Sequence, residues 1–257
     1  MTKRVIFNRK GGVGKSSIVV NLAAISAARG KRTLVVDLDG QANASQYLLG
    51  DGYSAKLKGI ADFFEQFLSF TLLPDYPEGY ALPTPYDNLS LIASTPKLAD
   101  IHNRLEARHK IYKLRDALNR LSKSYDAIYI DTPPALNFYT LSALIGADVC
   151  LIPFDCDQFS RQALYTLLEN VSEIRADHNE ALRIEGIVPN QFQEGASLPK
   201  RVVAELEAEK LPVLKTRLPA SVKMRESHEQ SKPLIHMVPK HKLTLAFQAL
   251  YDELERQ

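Results

Sequence analysis

Eight consecutive residues, Lys10-Gly11-Gly12-Val13-Gly14-Lys15-Ser16-Ser17, hold the densest chemistry in the chain. They follow the apolar run Val5-Ile6-Phe7 and precede Ile18, Leu22 and Ile25 at helical spacing. A strand, a glycine-rich loop and a helix in that order make a phosphate-binding loop. Gly11, Gly12 and Gly14 let backbone N–H groups crowd round a polyphosphate without side-chain clash. A helix starting near Lys15 adds unpaired N–H donors and the positive end of its dipole. Lys15 brings a point charge to the terminal phosphates, and the Ser16 hydroxyl is a ligand for Mg²⁺. The loop also departs from GxxxxGK[ST], because Arg9 stands at the first glycine and a second lysine, Lys10, opens the loop.

Carboxylates close two further apolar runs. Val35-Val36-Asp37-Leu38-Asp39 carries two acids on the same side of the chain by alternation. Taken alone they read equally well as capping or loop aspartates. Beside a phosphate loop, one can act near Mg²⁺ while the other orients water. Ala127-Ile128-Tyr129-Ile130-Asp131 is an apolar strand ending in an acid that can hold Mg²⁺ through its water shell. It runs into the stiff turn Thr132-Pro133-Pro134, suited to sensing a γ-phosphate. Asn190 reads either as an amide on an adenine edge, with Pro219 or its neighbours covering the ring, or as an ordinary turn residue. Cys150 and Cys156 read as small core residues. His228, His236 and His241 share no metal-ligand spacing and read as surface residues.

These groups need a frame, and the pattern supplies one. Strands are predicted at Arg4–Phe7, Thr33–Asp37, Leu89–Ala93, Ala127–Asp131, Val149–Pro153 and Ile184–Val188, with a weaker run at Val213–Thr216. Helices are predicted at Ser16–Ala28, Arg104–Lys123, Phe159–Ala176, Leu198–Lys210 and Leu243–Arg256, with a short one at Ile60–Phe70. Strands alternating with helices imply an α/β fold, a mostly parallel twisted sheet with helices on both faces. Ligands bind at the carboxyl ends of such strands, where the motifs fall. Residues 1–257 read as one domain, with a proline- and tyrosine-rich surface excursion over Phe70–Asn88.

Composition bounds the rest. The 257 residues are 45% hydrophobic and 24% charged, ordinary for a soluble globular protein. No apolar run is long enough to cross a bilayer, and the start of the chain carries no signal-peptide pattern. Two cysteines make no disulfide framework, so a reducing cytoplasm is expected. The net charge of +2 conceals a segment, Leu211 to Lys242, with seven Lys/Arg against two Glu. Such a local excess reads either as one electropositive face or as a solvated basic edge.

The chain resembles the ParA/MinD group of deviant Walker ATPases, and within it the ParA-type partition ATPases. The matching stretches are KGGVGKSS (Lys10–Ser17), VVDLDGQANASQYL (Val35–Leu48), YDAIYIDTPPALNFYTLSALIGAD (Tyr125–Asp148) and RLPASVKMRES (Arg217–Ser227). The resemblance implies a Mg²⁺-dependent ATPase that passes between ATP and ADP states as ATP sandwiches two subunits into a homodimer. It implies that Lys10 reaches the partner's phosphates while Lys15 serves its own nucleotide. Asp39 would position the attacking water, Asp37 and Asp131 would sit near the metal, and Ser16 would ligate it. It further implies nonspecific double-stranded DNA as a partner, a ParB-like or cargo-adaptor protein that stimulates slow hydrolysis, and a nucleoid-associated place in the cytoplasm. Arg217, Lys223, Arg225, Lys240 and Lys242 are the expected DNA contacts. Three departures stand out: Gly40 where proline is common, Ser16 and Ser17 for threonines, and Ala220 where relatives often carry an arginine. The alternative is a MinD-like membrane-associated regulator. The acidic AFQALYDELERQ stretch, with Asp252, Glu253 and Glu255 against Arg256, speaks against a cationic membrane helix.

Overall fold

In the computed structural model of the chain, residues 1–69 and 72–257 are described, apart from the side chains of residues 158–160. The elements run β1 (Thr2–Ile6), α1 (Lys15–Ala28), β2 (Thr33–Asp37), α2 (Asn43–Leu49), α3 (Ile60–Glu65), β3 (Ala81–Pro83), β4 (Leu89–Ile92), α4 (Lys97–Ala107) and α5 (Lys113–Leu121). They continue with β5 (Ala127–Asp131), α6 (Phe138–Gly146), β6 (Val149–Asp155), α7 (Gln158–His178), β7 (Arg183–Asn190), α8 (Ser197–Ala208), α9 (Val222–Glu229), α10 (Leu234–Met237) and α11 (Lys242–Leu254). The strands form one sheet in the order β3-β4-β2-β5-β1-β6-β7. All neighbours are parallel except β3 and β4.

The apolar strands are buried on both faces because each sends alternate side chains to opposite layers. Val5, Leu34, Val36, Ile128 and Ile130 join one core with α3 to α8. Ile6, Val35, Tyr129 and Leu151 join the other with α1, α2 and α11. α1 is buried along nearly its whole length, so the helix that follows the glycine loop is held as rigidly as the sheet. The apolar face of α11, with Leu243, Phe247, Leu250 and Leu254, is buried in the same layer as α1. A helix so engaged cannot also lay that face on a membrane. Among the described residues no helix is long and apolar enough to cross one.

The predicted strands are found, with ends shifted by a residue or two, save the last. Val213 makes one isolated bridge to Ile187, and the amides of Lys215 and Thr216 donate instead to the Glu253 carboxylate. A side chain there takes the donors that a strand would give to a ladder. The predicted helix Arg104–Lys123 is two helices. Arg108 closes α4, and His109 turns into the left-handed region at φ 52°, with its amide on the Glu106 carbonyl. The predicted Ile60–Phe70 helix ends as an α-helix at Glu65, and Phe70 lies outside the described residues. The surface excursion carries exposed Leu72, Leu73 and Tyr76 before the short antiparallel edge strand β3, which sequence periodicity did not reveal. Pro83 closes β3, as suits an edge.

Candidate functional site

Parallel topology puts the carboxyl ends of β1, β2, β5, β6 and β7 on one rim of the sheet, and the motifs follow directly. Asp37 and Asp131 are register partners across β2 and β5. The glycine loop leaves β1 between β5 and β6. Asn190 ends β7 and ties back to the loop, its Nδ2 donating to the Val13 carbonyl at 2.8 Å. The neighbouring Gln191 Nε2 donates to the Gly12 carbonyl at 2.8 Å. Gly14 takes φ 87°, and a Cβ there would stand 2.5 Å from Asn190 Nδ2. That position needs glycine for both its backbone and its neighbour.

A cleft of about 620 Å³ opens over this rim. Gly11, Gly14, Lys15, Ser16, Ser17 and Asp39 all line it. A Cβ built on Gly11 or Gly12 would meet nothing within 4 Å, so the loop presents bare backbone to open space. Lys15 is only 7% exposed; its Nζ donates to the Lys10 carbonyl at 3.1 Å. Burial lowers its pKa, while Asp131 and Asp39 pull the other way. A buried ammonium on a backbone carbonyl is under-compensated, which suits it to receive an anion.

The three acids have different situations. Asp37 is fully buried and takes the Ser45 amide (2.9 Å), the Ser45 hydroxyl (2.7 Å) and the Asp39 amide (3.0 Å). Burial pushes its carboxyl up to about 6, against those hydrogen bonds. Asp131 is equally buried and takes the Thr132 amide on Oδ1, but its Oδ2 has no hydrogen-bond partner among the described residues. Burial, then the charge of Asp37, holds its carboxyl well above the ordinary range, with the Ser16 hydroxyl in partial opposition. Asp39 faces the cleft, with Oδ1 accepting from the Gln41 amide at 3.0 Å. An orphaned buried carboxylate oxygen beside a serine hydroxyl and a phosphate loop fits the set that holds Mg²⁺, which keeps several waters and takes few protein ligands.

A testable consequence follows from linkage. A carboxyl whose pKa rises on folding stabilises the fold fully below its unfolded value of about 3.9. That contribution is lost as pH rises through about 6 for Asp37. Asp131, raised by its own burial and then by the charge of Asp37, adds to the same loss, and an uncharged side chain there removes its share. Asp131→Asn is expected to stabilise the ligand-free protein near neutral pH by about 1–3 kcal/mol and to flatten its pH dependence. Urea melts between about pH 5 and neutrality check this; an unchanged slope would refute it.

Lys10 lies at the mouth of the site rather than inside it. Its Nζ is 3.1 Å from Asp155 Oδ2 and 2.5 Å from Asp157 Oδ2, beyond the end of β6. Neither acid was singled out in the sequence, since no motif marks them. Gln191 is unmarked for the same reason, and Ser45, though inside the stretch Val35–Leu48, is given no role by it. Asn190 and Pro219, expected near a base, share a second cavity of about 420 Å³ with Ser17, Arg225 and His228, continuous with the first through Gly12 and Gly14. Cys150 and Cys156 are buried core residues, as read, and burial pushes the Cys156 thiol up to about 12.

The basic segment is divided. Arg225, Lys240 and Lys242 are exposed, the last two flanking the His241 cap of α11. Lys223 pairs with Glu226 at 2.6 Å, and the Arg217 guanidinium lies over Phe192, 4.8 Å from the ring centre. The Lys215 amide donates to Glu253, which lies about 16 Å along the axis of α11 from Lys242 at 1.5 Å per residue.

A family model described as "AAA domain" matches residues 1–184. The chain is 34% identical to the chromosome partitioning protein ParA of Myxococcus xanthus over 255 residues, 98% of this chain and 87% of that one. It is 32% identical to the sporulation initiation inhibitor protein Soj of Bacillus subtilis, covering 91% of this chain and 90% of that one. In fold it is similar to a cobyrinic acid a,c-diamide synthase of Mycobacterium smegmatis solved with a bound ATP analogue and magnesium. The TM-score there is 0.83 at 24% identity, covering 100% of this chain and 95% of that one.

Proposed function

The chain belongs to the ParA-type partition ATPases, and on that premise we propose that its Mg²⁺–ATP form is a homodimer that binds DNA without sequence preference and positions or segregates a cargo. The observation that carries the reading is the convergence of Lys15, Ser16 and Asp39 on one cleft beside the unpartnered oxygen of Asp131. In this proposal the bare backbone of Gly11 and Gly12 receives the phosphates and Lys15 neutralises them. Ser16 and Asp131 would hold Mg²⁺, which would supply positive charge to offset that of the phosphates. Asp37, with its oxygens occupied by Ser45 and the Asp39 amide, braces the turn that aims Asp39. Asp39 orients the attacking water from the cleft wall. Asn190 and Pro219 border the space for the adenine.

Lys10 must leave Asp155 and Asp157 to reach a partner's phosphates. Both ion pairs are a third or more exposed, so each stabilises by only about 0–1 kcal/mol. That cost is small against an ammonium placed between two triphosphates. Arg217, Arg225, Lys240 and Lys242 are exposed and Lys223 is half-buried, and these are the cations proposed for phosphate contacts. A ParB-like or cargo-adaptor protein would stimulate the slow hydrolysis, and cytoplasmic, nucleoid-associated placement follows from DNA binding.

Fluorescence anisotropy with random duplex tests the reading. ATP should confer binding that ADP does not, and the affinity should fall steeply with salt as several phosphate contacts release counterions. Lys10→Ala should lose the ATP dependence. No binding with ATP would remove DNA from the proposal, and binding that ignores nucleotide would remove its control by ATP.

A further inference from the structure

His228 is exposed, as its sequence character suggests, and its ring lines the nucleotide cleft. It projects from α9, and its Nε2 is joined to the Ser17 hydroxyl by a hydrogen bond of 2.9 Å. Ser17 lies in the first turn of α1, two residues after Lys15. The far side of the ring meets Tyr47 edge-on, with centroids 4.7 Å apart and planes at 83°. Tyr47 is itself fixed, its hydroxyl hydrogen-bonded to Ser227 and receiving Asn21 Nδ2 at 3.2 Å. Asn21 Oδ1 in turn accepts the Leu234 amide at 2.9 Å, where α10 begins. The imidazole is thus held between the phosphate loop's helix and a buried polar chain. Burial lowers its pKa, which favours the neutral ring, able to donate from one nitrogen and accept at the other.

Its position is more informative than its bonds. The larger cavity contains Lys15, Ser16 and Asp39, and the smaller contains Asn190 and Pro219. His228 and Ser17 line both, together with Gly12 and Gly14. A nucleotide with phosphates in the first cavity and base in the second must lay its sugar and α-phosphate across that shared strip. We propose that His228 is a nucleotide-positioning residue that hydrogen-bonds the sugar–α-phosphate segment of the bound nucleotide. It thereby separates nucleotides from inorganic polyphosphates that satisfy the glycine loop alone. The inference rests on the ATPase reading of the cleft and adds to it a specificity contact carried by α9, the helix that also bears Lys223 and Arg225.

Titration calorimetry of the whole chain with ADP and with inorganic pyrophosphate, each with Mg²⁺, separates the possibilities. His228→Ala should weaken ADP about tenfold, the effect of one lost ligand hydrogen bond, and leave pyrophosphate unchanged. His228→Gln, which keeps a polar group at similar reach, should recover most of the ADP affinity. Equal loss of both ligands in His228→Ala would make the residue a structural tie between α1 and α9 and overturn the proposal. Unchanged ADP affinity would overturn it too. A wild-type chain that binds neither ligand would defeat the ATPase reading itself, a result distinct from either.

Discussion

Lys15→Ala is expected to lower ATP affinity about a thousandfold while the folded protein persists. The magnitude comes from charge: an ammonium near 4 Å from a phosphate charge at an effective dielectric of about 20 contributes roughly 4 kcal/mol, three decades in affinity. Lys15 is suited to deliver it because it is buried and donates to a backbone carbonyl, with no carboxylate hydrogen-bonded to Nζ among the described residues. Its charge is therefore under-used until an anion arrives. Removing an under-compensated buried ammonium costs the fold little, so the urea midpoint of the ligand-free variant should hold or rise. Calorimetric titration with ATP and a parallel urea melt give both numbers. Wild-type affinity in this variant would mean that the glycine loop does not hold the triphosphate.

Asp39→Ala should do the opposite: keep ATP and lose turnover. The Asp39 side chain faces the cleft and supports only a local turn, through the Gln41 amide, so its loss removes no phosphate donor. It also withdraws a negative charge from the phosphate site, and ATP affinity is expected to stay or increase. Losing a group that aligns the attacking water should slow hydrolysis by about 10²–10⁴-fold, and the ATP-bound dimer should accumulate. Phosphate release and light scattering with ATP check the two halves. Turnover at the wild-type rate would dismiss Asp39 from the mechanism and leave the water without its positioning group.

The two experiments bear on different parts of the rim. Lys15 is placed by the loop and α1, both local to the motif. Asp39 is placed by Asp37, which Ser45 holds from α2. Ser45→Ala would therefore act on Asp39 only indirectly, through the turn. This separation explains why the loop reads so clearly in the sequence while the support of Asp39 does not.

The parallel sheet, the phosphate loop and the acids at strand ends were legible because each is written locally. Backbone freedom at Gly14, the unbroken apolar run Ala127-Ile128-Tyr129-Ile130 and the helical spacing after Ser17 operate within a few residues, and propensity follows them. The break between α4 and α5 was not legible, since one residue, His109, enters the left-handed region inside an otherwise helical pattern. The run at Val213–Thr216 failed as a strand because Glu253, far along the chain, captures two of its amides. The arrangement of the basic segment was not legible either, since Lys215 meets Glu253 near one end of α11 while Lys242 opens the other.

By itself, then, the order of residues determined that a polyphosphate loop on β1 would face acids on β2 and β5, because those motifs and their strands are defined by near neighbours. Only the tertiary structure decided which oxygen stays open, where Lys10 rests and what His228 touches. Among the described residues Asp131 Oδ2 has no hydrogen-bond partner, Lys10 lies on Asp155 and Asp157, and His228 meets Ser17. Each of these depends on groups up to 211 positions apart in the chain, brought together by burial of two apolar layers that carry no record of the polar pairs formed at their rim.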